Sequence, residues 1–115
     1  MEATIVASTY FMEEFKMFNN QRYATKGIIA DIPEYLQNMV WYMIESMEVT
    51  EKDYLQVFEL KTEVVNGKPM QRLIHTQEQP EYKNEIVFAA TTPVTTKIYV
   101  IDDKTHSTML KAEEY

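Results

Sequence analysis

The 115-residue sequence has no cysteine, only two glycines, four prolines and two histidines. With no thiol, cysteine nucleophiles, thiolate zinc sites, iron–sulfur clusters and redox switches are excluded, and nothing supports a disulfide-built secreted scaffold. Gly27 and Gly67 are too few for the glycine-rich loops that cradle dinucleotides or nucleoside phosphates. Basic residues are also sparse, 11 Lys plus Arg against 18 Asp plus Glu, for a net charge of −7. The deficit runs through the whole chain, with three basic against seven acidic residues up to Glu48 and eight against eleven after it. The basic side chains are scattered singly from Lys16 to Lys111, so the clustered cation footprint of a nucleic-acid binder is missing and no such partner is expected. Long apolar runs are lacking too. The stretch from Tyr35 to Ile44 includes Gln37 and Asn38 and is about half of the ~20 residues a membrane span needs. Ala3 to Met12 is apolar, but Glu2 stands where a signal peptide carries positive charge and no small-residue cleavage site follows. The reading is a soluble, cytoplasmic chain with no membrane association and no cofactor.

What is present suits one core. A chain of this length buries between about 60% and 70% of its unfolded surface, and no repeat, low-complexity tract or linker divides it. Arg22 to Ile29, rich in Tyr, Thr and Ile, reads as a first strand. Asp31 and Glu34 fit a capping box, with Pro33 suited to a first helical turn. Leu36, Val40, Met43 and Met47 then recur at helical spacing, widened by Met39 and Ile44. Tyr54 to Lys61 has apolar residues on both faces, as a central strand does. Asn66-Gly67 marks a reversal, and Met70 to Gln77 is the returning arm of a hairpin; Thr62 to Val65 either extends the first arm or forms a longer loop. Glu85 to Ala90 and Thr96 to Ile101 supply further strands, and Ser107 to Tyr115 is a last strand or a short helix. The expected fold class is α+β: a mainly antiparallel sheet of four to five strands with one amphipathic helix packed on one face.

Several strings carry a resemblance: Arg22-Tyr23-Ala24-Thr25-Lys26-Gly27; Ile32-Pro33-Glu34 with Leu36-Gln37 and Trp41; and Asp53 to Leu60. It continues through Gln77 to Pro80, Lys97 to Asp103, His106 to Leu110 and Ala112 to Tyr115. Together they resemble an uncharacterised family of small Gram-positive bacterial proteins known only as a domain of unknown function. The resemblance spans roughly residues 22 to 115 and implies no activity, substrate or catalytic residue. Its pattern starts near a Met-Phe pair like Met17-Phe18, so residues 1–21 read as an N-terminal extension and 22–115 as a single α+β domain. Residues 1–16 are then either foreign to the native chain, with Met17 as initiator, or an ordinary N-terminal segment.

Candidate sites are few. Asp102, Asp103 and His106 could gather two carboxylates and an imidazole in one turn, as a divalent metal or a general base requires; the competing reading is a solvated turn after a strand. His75, Glu78 and Glu81 recur every three residues, but a strand running into a proline loop does not keep helical spacing, so they read as surface polarity. Ser107 and Thr108 beside His106 lack the geometry of a nucleophile and its base. Glu113 and Glu114 make an acidic end that serves solubility or docks a basic partner. The chain thus writes a sound core and no catalytic kit. Eight Tyr and five Phe besides Trp41 exceed what the core needs, and tyrosine is enriched at interfaces. The expected function is a non-enzymatic protein-interaction or regulatory module that binds itself or another protein through Trp41, Tyr42, Tyr54 and Tyr115. One alternative is a small metal-dependent hydrolase built on Asp102, Asp103 and His106. A second is an acidic decoy of a nucleic-acid-binding protein, which needs carboxylates in rows on one face.

Overall fold

The computed structural model describes residues 17–115, so the expectations for residues 1–16 lie outside the described residues. Strand β1 (Gln21–Ala24) leads into helix α1 (Lys26–Asp31) and helix α2 (Glu34–Glu45). Strands β2 (Leu55–Val65), β3 (Lys68–Gln77), β4 (Tyr82–Ala89), β5 (Thr96–Asp102) and β6 (His106–Lys111) follow, and a short 3-10 turn spans Ala112–Glu114. One sheet contains all six strands in the order β1-β6-β5-β2-β3-β4. Every neighbouring pair is antiparallel except β1 and β6, which run parallel with Tyr23 opposite Thr108.

This corrects the expected four to five mainly antiparallel strands under one helix. Among the described residues the sheet has six strands and is mixed, and two helices cover it, within an α+β fold. The additional helix, α1, begins inside Arg22 to Ile29, where only the first three residues are strand, and the sixth strand, β6, takes the first part of the terminal stretch read as a strand or a short helix, with the 3-10 turn after it. Thr25 turns the chain into α1, its hydroxyl accepting from the Ile28 amide. The carboxylate of Glu114 then accepts from the Thr25 hydroxyl at 2.7 Å and the Gly27 amide at 3.1 Å. A helix start held from a point 87 residues away leaves no local trace, and it overrides the strand preference of Ile28 and Ile29. Gly27 leaves room for that contact, since a Cβ there would lie 2.7 Å from the Glu114 carboxylate and oblige that side chain to shift.

The expected capping box is absent. Pro33 is the N-cap of α2 and supplies no side-chain bond. Asp31 instead meets Lys111 on β6. The stripe of α2 is as its spacing predicts, with Leu36, Val40, Met43, Ile44 and, just past the helix, Met47 buried. They pack on Phe58, Leu60, Leu73, Ile98, Val100 and Met109, which all point to one side of the sheet. Asn66 and Gly67 both adopt positive φ, the two-residue turn their sequence signals, and Thr62 to Val65 extend the first arm. The packed unit reaches upstream of residue 22, since Phe18 is buried in the same core. Among the described residues no helix is long and apolar enough to cross a membrane.

Candidate functional site

Both helices cover one side of the sheet, and strand alternation turns the other set of side chains to the opposite side, which neither helix covers among the described residues. That face is not polar throughout. Leu55 and Val57 of β2, Tyr99 and Ile101 of β5 and Leu110 of β6 form a continuous apolar zone, with Leu55 opposite Ile101, Val57 opposite Tyr99 and Tyr99 opposite Leu110. Ile74 and Thr76 continue it onto β3. Tyr115 lies across the zone, edge-on to Tyr99 at 5.4 Å and three-quarters exposed. Tyr54 borders it, lining a recess of about 300 Å³ with Leu55, Val57, Thr76 and Lys97 and with the acidic Asp53, Glu59 and Glu78.

Towards the hairpin tip the same face becomes charged. Arg72 spans two strands, donating to Glu63 at 2.8 Å and to Glu85 at 2.6 Å, and Lys83 sits 3.2 Å from Glu85. These carboxylates raise the Arg72 pKa, while Lys83 and Arg72 hold Glu85 below the usual carboxylate range. The strand side chains on this face are five basic, Lys61, Lys68, Arg72, Lys83 and Lys97, against three acidic, Glu59, Glu63 and Glu85. The surplus is positive on a chain whose net charge is −7.

The four expected interaction residues divide between the layers. Tyr54 and Tyr115 are on the open face. Tyr42 is two-thirds exposed on the helix side. Trp41 is partly buried against the core, with the Arg22 guanidinium 4.6 Å above its ring and Arg22 paired to Glu45 at 2.6 Å.

The Asp-Asp-x-x-His turn is likewise divided. Asp102 is buried, and its carboxylate accepts from the Phe18 amide at 2.7 Å, the Asn20 side chain at 3.0 Å and the Lys104 amide at 2.7 Å. Asp103 faces solvent, 3.1 Å from the His106 Nε2, and accepts from the His106 amide and the Thr105 hydroxyl. Those donors lower its pKa, the His106 amide most. Asp103 and His106 therefore meet, and Asp102 does not join them. Among the described residues no group of three or more His, Asp or Glu is arranged to hold a metal ion.

His75 is not the surface residue its spacing suggested. It is fully buried, stacked on Phe58 at 4.2 Å and edge-on to Tyr82 at 5.3 Å. Its Nε2 lies 2.6 Å from Gln56 Oε1, and its Nδ1 has no partner. Desolvation, with a smaller push from Lys52, lowers its pKa to about 4. Gln56 donates on to Gln77, whose side chain accepts from the Asp53 amide and donates to the Glu51 and Pro80 carbonyls. Gln71 is paired with both main-chain groups of Val94. These buried polar side chains tie loops to the sheet. Glu78 and Glu81 are exposed and do not converge with His75. Alternation around Phe58 and Leu73 could have placed His75 and Gln56 on the inner face; nothing local marks them as polar anchors.

No curated protein matches the chain. A crystal structure of a protein of unknown function from Enterococcus faecalis is similar to it at 25% identity with a TM-score of 0.65, covering 88% of this chain and 97% of that one. A family model described as staphylococcal protein of unknown function, DUF960, matches residues 21–114. That range contains nearly all of the strings that carried the resemblance to a Gram-positive family. The chain belongs to the DUF960 family of staphylococcal proteins of unknown function.

Proposed function

We propose that the chain is a cytoplasmic, non-enzymatic protein-interaction module whose contact surface is the open face of the sheet. The observation that carries this reading is the apolar zone of half-buried Leu55, Val57, Tyr99 and Ile101 beside buried Leu110, on the side of the sheet away from α1 and α2. A sheet face left to water ordinarily alternates to polar side chains, and an apolar surface with a polar border is the mark of a docking site. Tyr54 and Tyr115 bring exposed aromatic area to its edge at little entropic cost. The basic surplus of the strand side chains selects the occupant: a protein segment apolar at its centre and flanked by carboxylates.

The test is capture from a lysate of the source organism with the wild-type chain, a Tyr54→Glu/Tyr115→Glu variant and a Tyr42→Glu variant as bait, followed by cross-link mapping from the open-face lysines. The expected result is a stoichiometric partner that cross-links to Lys97 and Lys61, persists with Tyr42→Glu and is lost with the double variant. A partner held equally by all three baits, or lost only with Tyr42→Glu, overturns the reading.

A further inference from the structure

The sheet has two edges, and they differ. β1 is four residues long and ends at once in α1, a short edge of the kind that resists further pairing. β4 is eight residues long, contains neither proline nor glycine, and keeps an unbroken register with β3 from Met70 opposite Ala89 to Gln77 opposite Tyr82. No strand lies on its outer side among the described residues. The ladder shows which groups face outward. The Ala90 amide donates to the Pro69 carbonyl at 3.2 Å, so by antiparallel alternation Tyr82, Asn84, Ile86 and Phe88 turn their main chains toward β3. Lys83, Glu85, Val87 and Ala89 then direct amides and carbonyls away from the sheet. A long, regular edge of this kind is a template for another strand.

We infer that β4 pairs with β4 of a second copy of this chain, antiparallel about a two-fold axis at Asn84, joining two sheets into one of twelve strands. The charges choose this register. Two-fold pairing must set outward-facing residues against each other, which leaves a few alignments. An axis at Glu85 places carboxylate against carboxylate, and an axis at Lys83 places ammonium against ammonium. An axis at Ile86 sets Lys83 and Glu85 against Ala89 and Val87. Only the axis at Asn84 sets Lys83 opposite Glu85 of the second copy, twice over by symmetry. On the other face it sets Tyr82 opposite Ile86, both partly buried and packed on the core. Lys83 and Glu85 lie on one side of the strand, 3.2 Å apart, so each copy presents one charge of either sign to the other copy. This contact is separate from the open face and does not depend on the function proposed for it.

The experiment is sedimentation equilibrium of the full chain from about 10 µM to 1 mM, the range suited to a small edge-to-edge interface, with circular dichroism to confirm folding. The wild type is expected to pass from monomer to dimer. Lys83→Glu and Glu85→Lys each place like charges opposite one another, and each is expected to raise the dissociation constant about tenfold or more. An equimolar mixture of the two variants is expected to form a heterodimer at wild-type strength, because each now supplies the other's complement. Mixing cannot repair a folding defect. Should Glu85→Lys unfold through loss of its contact with Arg72, Lys83→Glu, which leaves that contact in place, carries the test by its own rise in dissociation constant. A wild type that stays monomeric across the range, or single variants and a mixture that all match the wild type, overturns the inference.

Discussion

His75 illustrates how a single side chain in this core couples stability to pH. The ring is neutral in the folded protein because burial withholds water from its charged form, and its pKa falls from 6.5 to about 4. Above pH 6.5 neither state holds the proton, so His75 adds no pH dependence there. Between pH 6.5 and about 4 the unfolded chain takes up a proton that the folded chain refuses, and stability falls as pH falls, by about 3 kcal/mol in total. Asp103, Glu85 and Glu114 have lowered pKa values, so their contribution is present above the ordinary carboxylate range and is lost as pH falls through it, at the acid end of this window. His75→Leu is therefore expected to flatten the slope between pH 6.5 and 4.5 in urea unfolding. At pH 7 the same variant is expected to be less stable by about 1–3 kcal/mol, since Gln56 Oε1 loses its buried partner. An unchanged slope would assign the acid sensitivity to other groups.

Elements were legible where their cause is local. The stripe of α2 and the Asn66-Gly67 reversal act within a few residues of their own positions, and both stand where the spacing predicts. α1 was not legible, because its start is fixed by Glu114 and its end by Lys111 on Asp31. The two helices are accordingly expected to respond differently to substitution. Leu36→Ala, at a fully buried position under α2, is expected to cost about 2–5 kcal/mol by the cavity it leaves, whereas Tyr42→Ala on the exposed side is expected to stay within about 0.5 kcal/mol. Thr25→Ala removes both the cap of α1 and the hydroxyl that holds Glu114, and is expected to cost about 1 kcal/mol. Denaturant midpoints of the three variants at pH 7 check the ranking, and amide exchange localises the Thr25→Ala effect to α1 and the C-terminal turn. Equal losses for Leu36→Ala and Tyr42→Ala would refute the assigned faces of α2.

At the scale of the whole molecule, the sheet closes through a contact that no sequence window spans. β1 can lie parallel to β6 only if the chain before it is held beside the β5–β6 turn, and Asp102 holds it. Its buried carboxylate gathers the Phe18 amide, the Asn20 side chain and the Lys104 amide, and Asn20 accepts in turn from the Ser107 hydroxyl at 2.6 Å. The residue type that suggested a metal ligand is here an acceptor for main-chain donors. Residue type and spacing alone do not separate those roles, because both need a carboxylate just after a strand. Stability does separate them. Asp102→Ala strands donors that are wholly or partly buried and is expected to cost about 3 kcal/mol, with loss of amide protection in β1. Asp103→Ala, on the exposed side of the same turn, is expected to cost less than about 1 kcal/mol. If the turn bound a divalent cation, the ranking would invert on adding one: the wild type would gain thermal stability that Asp103→Ala and His106→Ala lack. With Asp102 closing the sheet, Zn²⁺ or Mn²⁺ is expected to leave the melting temperatures of wild type and Asp103→Ala equally unmoved, and Asp102→Ala remains the most damaging of the three single changes in the turn.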